Sequence, residues 1–353
     1  LPHSLNGDPA MPICPECNAF FPEKLGLPRH DCARGIKSQK VAITMLQCDG
    51  TRQGIVNNLK RLDVLKDLCA GVARKDVFHL LLAPEFFFWH ALGAPEGALS
   101  SKAALEFSEQ IKGLSTQLGD VLVVPGTLPV ADAIEFGAER SLERHFESLA
   151  KVQCMGDDHL PDGVKRAYLN EDWDTQQEQA SEAGSTYSYR NVLKAFRAGK
   201  QVIEYDKQIP YLDGTDFEYH WFQTKDAAMV MNAGGDNKRN WAVVDGVKVG
   251  FEICAEHQYG TLMAVSGSPC DIHVLLSNSM EEFFPKLIHA RNGGLFAHVD
   301  AKKAHCHLYQ VKQGTDPEQL RPTKISAIAK GGFEGNVLEY EVELRIPIRL
   351  RTP

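Results

Sequence analysis

The sequence predicts an α/β protein from residue 40 onward, on three observations. Strand-like and helix-like stretches alternate from Lys40 to Thr127, in the order strand, helix, strand, helix, strand. Glu85, Lys207 and Cys254 each stand at the end of their own apolar or strand-like run. The first forty residues differ from the rest of the chain: they are Pro-rich, lack long periodic segments and hold Cys14, Cys17, His30 and Cys32.

The leading segment, residues 1–38, has the spacing C-x2-C-x12-H-x-C, with Phe20 and Phe21 between the two ligand pairs. A piece this short cannot bury enough surface to fold alone, whereas two paired ligand sets can close around one tetrahedral ion. Residues 1–38 are therefore expected to form a zinc-finger-like module with Cys14, Cys17, His30 and Cys32 as ligands. Four protein ligands leave no open position, so the zinc is expected to be structural. Only Lys24, Arg29, Arg34 and Lys37 lie near it, which argues against nucleic-acid binding.

Residues 39–353 carry the regular pattern. Residues 41–46 read as a strand, and residues 52–75 place Ile55, Val56, Leu59, Leu62, Leu65, Leu68 and Cys69 at helical spacing. The run 77–88 is a strand that delivers a carboxylate, Glu85, into apolar surroundings, which is costly unless something uses it. Ser100 or Ser101 can cap a helix through about Leu118, and residues 121–127 form the next strand, ending in a turn. Residues 131–186, rich in Glu, Asp and Gln, read as an insertion, either over the pocket mouth, at a subunit contact or as a surface loop. Residues 187–193 read as a strand. Gly199-Lys200 is a turn opening the strand that leads to Lys207, and Pro210 ends it. Val243, Val244, Val247, Val249 and Phe251 read as a strand that delivers Cys254 where apolar residues give way to Ala255, Glu256 and His257. A further strand covers 271–279, and segments 324–329 and 337–344 alternate as an antiparallel pair about Gly331-Gly332.

With 353 residues, 43% hydrophobic and 24% charged, the composition is that of a globular protein with one large core. No stretch fits a transmembrane helix, and residues 1–13 lack the basic start and apolar centre of a secretory signal. A net charge of −8 offers no field for nucleic acid or anionic membrane, so small molecules are the expected partners. Nine scattered cysteines suit a reducing cytoplasm better than a disulfide framework.

Pro84-Glu85, the run Tyr205-Asp206-Lys207-Gln208-Ile209-Pro210 and the run Gly250-Phe251-Glu252-Ile253-Cys254-Ala255-Glu256 together resemble the nitrilase (carbon–nitrogen hydrolase) superfamily. The resemblance implies a four-layer αββα sandwich for residues from about 40 to 350 and a homo-oligomer. It further implies convergence of the three strand ends. Residues 187–193 resemble that family's "YNT" strand, and residues 289–300 resemble its helix running through an Arg-Ala-x-Glu-Asn-Gly-like segment into the next strand.

The three residues suit cleavage of a C–N bond beside a carbonyl or nitrile carbon. Cys254 would be the nucleophile, although its thiol needs help to ionise near neutral pH. Glu85, with its pKa raised by apolar neighbours such as Phe86, Phe87 and Phe88, would take the thiol proton and return it to the departing amine. Lys207, with the backbone N–H of Ala255, would stabilise the oxyanion. The resemblance implies a second acid downstream of Lys207; Glu218 is favoured, with Asp216 or a purely structural aromatic turn as the alternatives. Glu256, His257 and Asn278 are candidate substrate contacts, Glu256 being equally suited to orienting Lys207 or holding its turn. The expected activity is hydrolysis of a small or medium carboxamide through a thioester, without an organic cofactor. A nitrile-processing enzyme is the alternative among enzymes, and an inert scaffold recognising a partner through the zinc module is the alternative outside them.

Overall fold

The structure, a computed structural model, describes residues 36–48, 58–69, 76–88, 99–134, 186–208, 228–231, 239–278, 280, 283–302, 305–312, 314–330 and 333–347. The zinc-module residues Cys14, Cys17, His30 and Cys32, the candidate acids Asp216 and Glu218, and nearly all of the 131–186 insertion lie outside these residues.

Two mixed sheets make up the described chain. The larger contains β1 (Ile36–Cys48), β2 (Phe78–Leu82), β3 (Val121–Val124), β4 (Thr127–Ile134), β5 (Thr186–Arg197), β6 (Lys200–Asp206), β7 (Ala228–Met231), β14 (Lys324–Lys330) and β15 (Phe333–Pro347). Its order is β14-β15-β1-β2-β3-β5-β4, with β6 and β7 also paired to β5. The smaller runs β13-β12-β11-β10-β9-β8 and comprises β8 (Trp241–Val244), β9 (Val247–Ile253), β10 (Cys270–Ser277), β11 (Ala290–Asp300), β12 (His307–Gln310) and β13 (Glu318–Gln319).

Side-chain alternation shows how the sheets stack. In β1, β2 and β3, Ile43, Met45, Leu80, Leu82, Leu122 and Val124 share one core with Val249, Phe251, Ile253, Ile272 and Val274 of the smaller sheet. Their neighbours Leu46, Leu81, Val121 and Val123 face the opposite way, onto α1 (Asn58–Cys69) and α2 (Ser101–Leu118). The N-cap of α2 is Ser100, whose hydroxyl accepts from Ala103 N–H at 3.2 Å. On the far side of the smaller sheet lies α3 (Thr261–Ser266), against which Gly250 packs so closely that a Cβ there would meet Leu262 Cδ2 at 2.6 Å. The layers therefore run helix, sheet, sheet, helix, the order the sequence resemblance implied.

Several elements differ from the sequence reading. The apolar run 243–251 is a hairpin of β8 and β9, because Asp245 (φ 52°) and Gly246 (φ 83°) form a tight turn with both central residues left-handed. Residues 290–300 are strand β11 throughout, parallel to β10, where the family resemblance suggested a helix running into a strand; a register shift lies between Cys270 and Ile272 of the neighbouring strand. The strand leading to Glu85 stops at Leu82, so Glu85 sits in the turn beyond it. Residues 127–134, of which 131–134 were assigned to the insertion, form β4, antiparallel to β5.

Candidate active site

β1, β2 and β3 run parallel, and β6, antiparallel to a strand that is itself antiparallel to β3, points the same way. Glu85 and Lys207 therefore leave the larger sheet at the same edge, beyond the carboxyl ends of β2 and β6. In open α/β sheets this is where ligands are bound.

Lys207 Nζ donates to Glu85 Oε1 at 2.9 Å, and both residues are 1% exposed. Asn191 of β5 joins them a second time. Its side-chain N–H donates to Glu85 Oε1 at 2.9 Å, and its carbonyl accepts from Lys207 N–H at 2.9 Å. Asn191 falls inside the segment whose likeness to the family's strand was read from sequence, yet nothing in the sequence singled it out.

The turn carrying Glu85 is held by its backbone. Phe86 is left-handed at φ 55°, a cost of order 1–2 kcal/mol for a residue with a side chain. Phe86 N–H donates to Thr127 Oγ1 at 2.9 Å, and the buried Arg61 of α1 donates to the carbonyls of Phe86 and Phe87. Gly126 lies underneath; a Cβ there would meet Pro84 O at 2.2 Å.

Cys254 comes directly after β9 and opens a 3-10 turn over Cys254–Tyr259. It is left-handed at φ 49° and 8% exposed, and it belongs to the core between the sheets. Strain at a residue of this type is characteristic of functional positions. Glu256 ties this turn to the Lys207 strand: Oε1 accepts from Tyr205 O–H at 2.5 Å and Gln208 N–H at 2.6 Å, and Oε2 from Ile253 N–H at 2.8 Å. The peptide units next to Cys254 and Lys207 thus share one carboxylate. Burial raises Glu256 from its ordinary value to about 7, against the hydrogen bonds and the nearby Lys207 charge that favour its ionised form.

Of the other candidates, Glu256 has both oxygens taken by protein donors, which fits turn-holding, one of the roles the sequence left open, better than substrate contact. His257 is fully buried and faces away from the inter-sheet core, with Nδ1 2.7 Å from Glu252 Oε2. Asn278 is half-buried and adjoins Ser277; β10 is level with β9 through Leu276 and Ile253, so Asn278 reaches the Cys254 end of the sheet. Ala255 is buried beside the nucleophile position.

A second buried cluster escaped sequence reasoning. Glu252, His257 and His273 bring three potential metal-ligand atoms within 4.8 Å of one another. His289 N–H donates to His273 Nδ1 at 3.1 Å, which leaves the proton of the neutral ring on Nε2, 3.0 Å from Glu252 Oε2. A protonated nitrogen cannot ligate, so the set fits a carboxylate flanked by two imidazoles rather than an ion site. Burial raises the Glu252 carboxyl, and His273 and His257 outweigh it, holding the group at about 2. Burial lowers His273 below its ordinary value, against Glu252.

No protein-family model matches the chain, and no curated protein matches it in sequence. Solved structures do resemble it. An amidase from Nesterenkonia sp. AN1, carrying a covalent acetamide moiety at its active-site cysteine, is 14% identical over 92% of this chain and 94% of its own, with a TM-score of 0.45. A carbon–nitrogen hydrolase superfamily protein from Xanthomonas campestris is 12% identical over 87% of this chain and 91% of its own, at 0.42. A nitrilase-superfamily member from Saccharomyces cerevisiae is 12% identical over 87% and 90%, at 0.41. The chain is similar to these proteins along most of its length, at a level that leaves its site to be read from its own residues.

Proposed function

We propose that this chain is a cysteine-dependent carbon–nitrogen hydrolase that cleaves a small or medium carboxamide. The observation that supports it most is the buried Lys207–Glu85 pair at 2.9 Å, tied through Glu256 to the turn on which Cys254 sits in a strained conformation. A sealed ion pair contributes little to stability over apolar residues of the same volume, so a buried pair tied to a strained cysteine points to chemistry.

In this reading Glu85 takes the proton from Cys254 Sγ, and the thiolate adds to the carbonyl carbon. Lys207 stabilises the negative oxygen of the tetrahedral intermediate. Collapse breaks the C–N bond as Glu85 gives its proton to the leaving nitrogen. A water deprotonated by Glu85 then attacks the thioester, and the departing thiolate recovers the proton. Asn191 holds the Glu85 carboxylate through these proton transfers, and Glu218 or Asp216 supplies the second acid.

The test is ammonia release from a panel of carboxamides and nitriles, with intact-mass detection of an acyl adduct on Cys254. Turnover and adduct are expected for the parent and absent in Cys254→Ala. Faster release from nitriles would favour the nitrile-processing alternative, and neither turnover nor adduct would leave the scaffold reading. Residues 1–38 are proposed, on spacing alone, to hold one structural zinc through Cys14, Cys17, His30 and Cys32. Native mass spectrometry with and without chelator should then differ by one zinc, lost in Cys14→Ser.

A further inference from the structure

Alternation along β9 turns Val247, Val249, Phe251 and Ile253 toward the inter-sheet core and Lys248, Gly250 and Glu252 toward α3. Glu252 thus lies two residues before Cys254 on the face opposite the Lys207–Glu85 pair. Its carboxylate reaches three elements. Oε1 accepts from Leu262 N–H, at the start of α3, at 2.7 Å; Oε2 accepts from His257 Nδ1–H, in the 3-10 turn, at 2.7 Å and lies 3.0 Å from His273 Nε2 of β10. All three side chains are wholly buried. Phe296 stacks on the His257 ring at 5.4 Å and 22°, fixing its plane, and His257 Nε2 has no hydrogen-bond partner among the described residues.

Two carboxylates, at two residues before and two after, therefore grip the left-handed Cys254 from opposite faces. Glu256 ties it to the Lys207 strand, and Glu252 ties it to the outer layer. We propose that Glu252, acting through His257 and His273, is a positioning group that holds the Cys254 turn in register with Lys207 without touching substrate. This rests on the reading of Cys254 as the nucleophile. Slackening the outer grip lets the strained residue relax and withdraws the sulfur from the ammonium, so the thiolate becomes harder to form.

The experiment measures the rate of iodoacetamide alkylation of Cys254 against pH in the full chain, with the modified peptide identified by mass spectrometry, alongside kcat and KM on an amide that the parent turns over. His257→Phe keeps the stacked ring and removes the N–H. His257→Asn places an N–H where Nδ1 was and gives up the stacked ring with its partnerless Nε2. The Phe variant is expected to shift the alkylation midpoint upward by about one pH unit and to lower kcat on the order of tenfold with KM little changed. The Asn variant should stay within about twofold of the parent. A Phe variant that keeps the parent profile, or Phe and Asn variants that fall together in proportion to lost thermal stability, overturns the proposal. Should the Phe variant not fold, Glu252→Asp, which keeps the buried charge and shortens its reach, is read in its place, and a parent-like profile there overturns it too. A parent whose Cys254 alkylates no faster than an unfolded thiol removes the hydrolase reading and this proposal together; a reactive parent with an unaffected variant removes only the latter.

Discussion

Lys207 and Glu85 are tolerable in the interior because each compensates the other. Lys207→Met strips the positive partner from a buried carboxylate and should lower stability by about 3–5 kcal/mol in denaturant melts, while Lys207→Met with Glu85→Gln should cost less than the sum of the single changes. Tyr205→Phe removes the shortest hydrogen bond that Glu256 accepts, 2.5 Å, and should cost about 1–2 kcal/mol. At this scale the sequence was legible where a polar residue interrupts an apolar run. Glu85 announces itself in that way, whereas Lys207 and Cys254 stood out through the family resemblance. Asn191 and Glu252 do not, because an Asn or Glu on an alternating strand reads as its solvent face until the layer covering it is known.

Elements, rather than residues, carry the Glu85 turn. Gly126 must approach Pro84 O at a distance no Cβ allows and has φ +84°, so Gly126→Ala should destabilise the fold by about 2 kcal/mol or more and reduce amide turnover by displacing Glu85. A thermal melt and a turnover assay check the two effects separately. The same scale explains the misread strands. Asp245-Gly246 is a hairpin signal inside the run 243–251 that the reading of Val243, Val244, Val247, Val249 and Phe251 as one strand passed over. β11 is buried on nearly all its length, with His298 and Asp300 inside, so neither strand nor helix periodicity shows in its sequence. Ser100, at the start of α2, was readable because capping is local chemistry.

For the whole molecule, buried titrating groups shape the response to pH. Burial lowers His298 from 6.5 to about 3, so the unfolded chain takes up that proton first and stability falls as pH drops between those values. Glu252, lowered from 4.5 to about 2, adds to the loss below 4.5. Glu256, raised from 4.5 to about 7, works the other way: the folded chain holds its proton over that window, so stability falls as pH rises through it. The His298 and Glu256 effects oppose each other between about 4.5 and 6.5, at up to about 1.4 kcal/mol per pH unit each. Burial also lowers His289 from 6.5 to about 4 and lowers His273, so the histidines outweigh Glu256 there. Stability is therefore expected to fall as pH drops below 6.5 and to fall more steeply below about 4.5, as read from urea midpoints across pH; His298→Asn should soften the drop. Among the described residues no helix is long and apolar enough to cross a membrane.

Composition, local periodicity and capping determined the α/β class and the positions of most strands, because each depends on neighbours within a few positions along the chain; the three residues on which the proposed chemistry turns were grouped by their resemblance to the nitrilase superfamily's motifs. The pairing of Lys207 with Glu85, the grip of two carboxylates on Cys254 and the order of strands in both sheets were decided only by tertiary structure. They join residues far apart along the chain, 122 positions for Lys207 and Glu85 and more for β1 and β15, and the burial that gives such contacts their strength exists only once both sheets have closed over them.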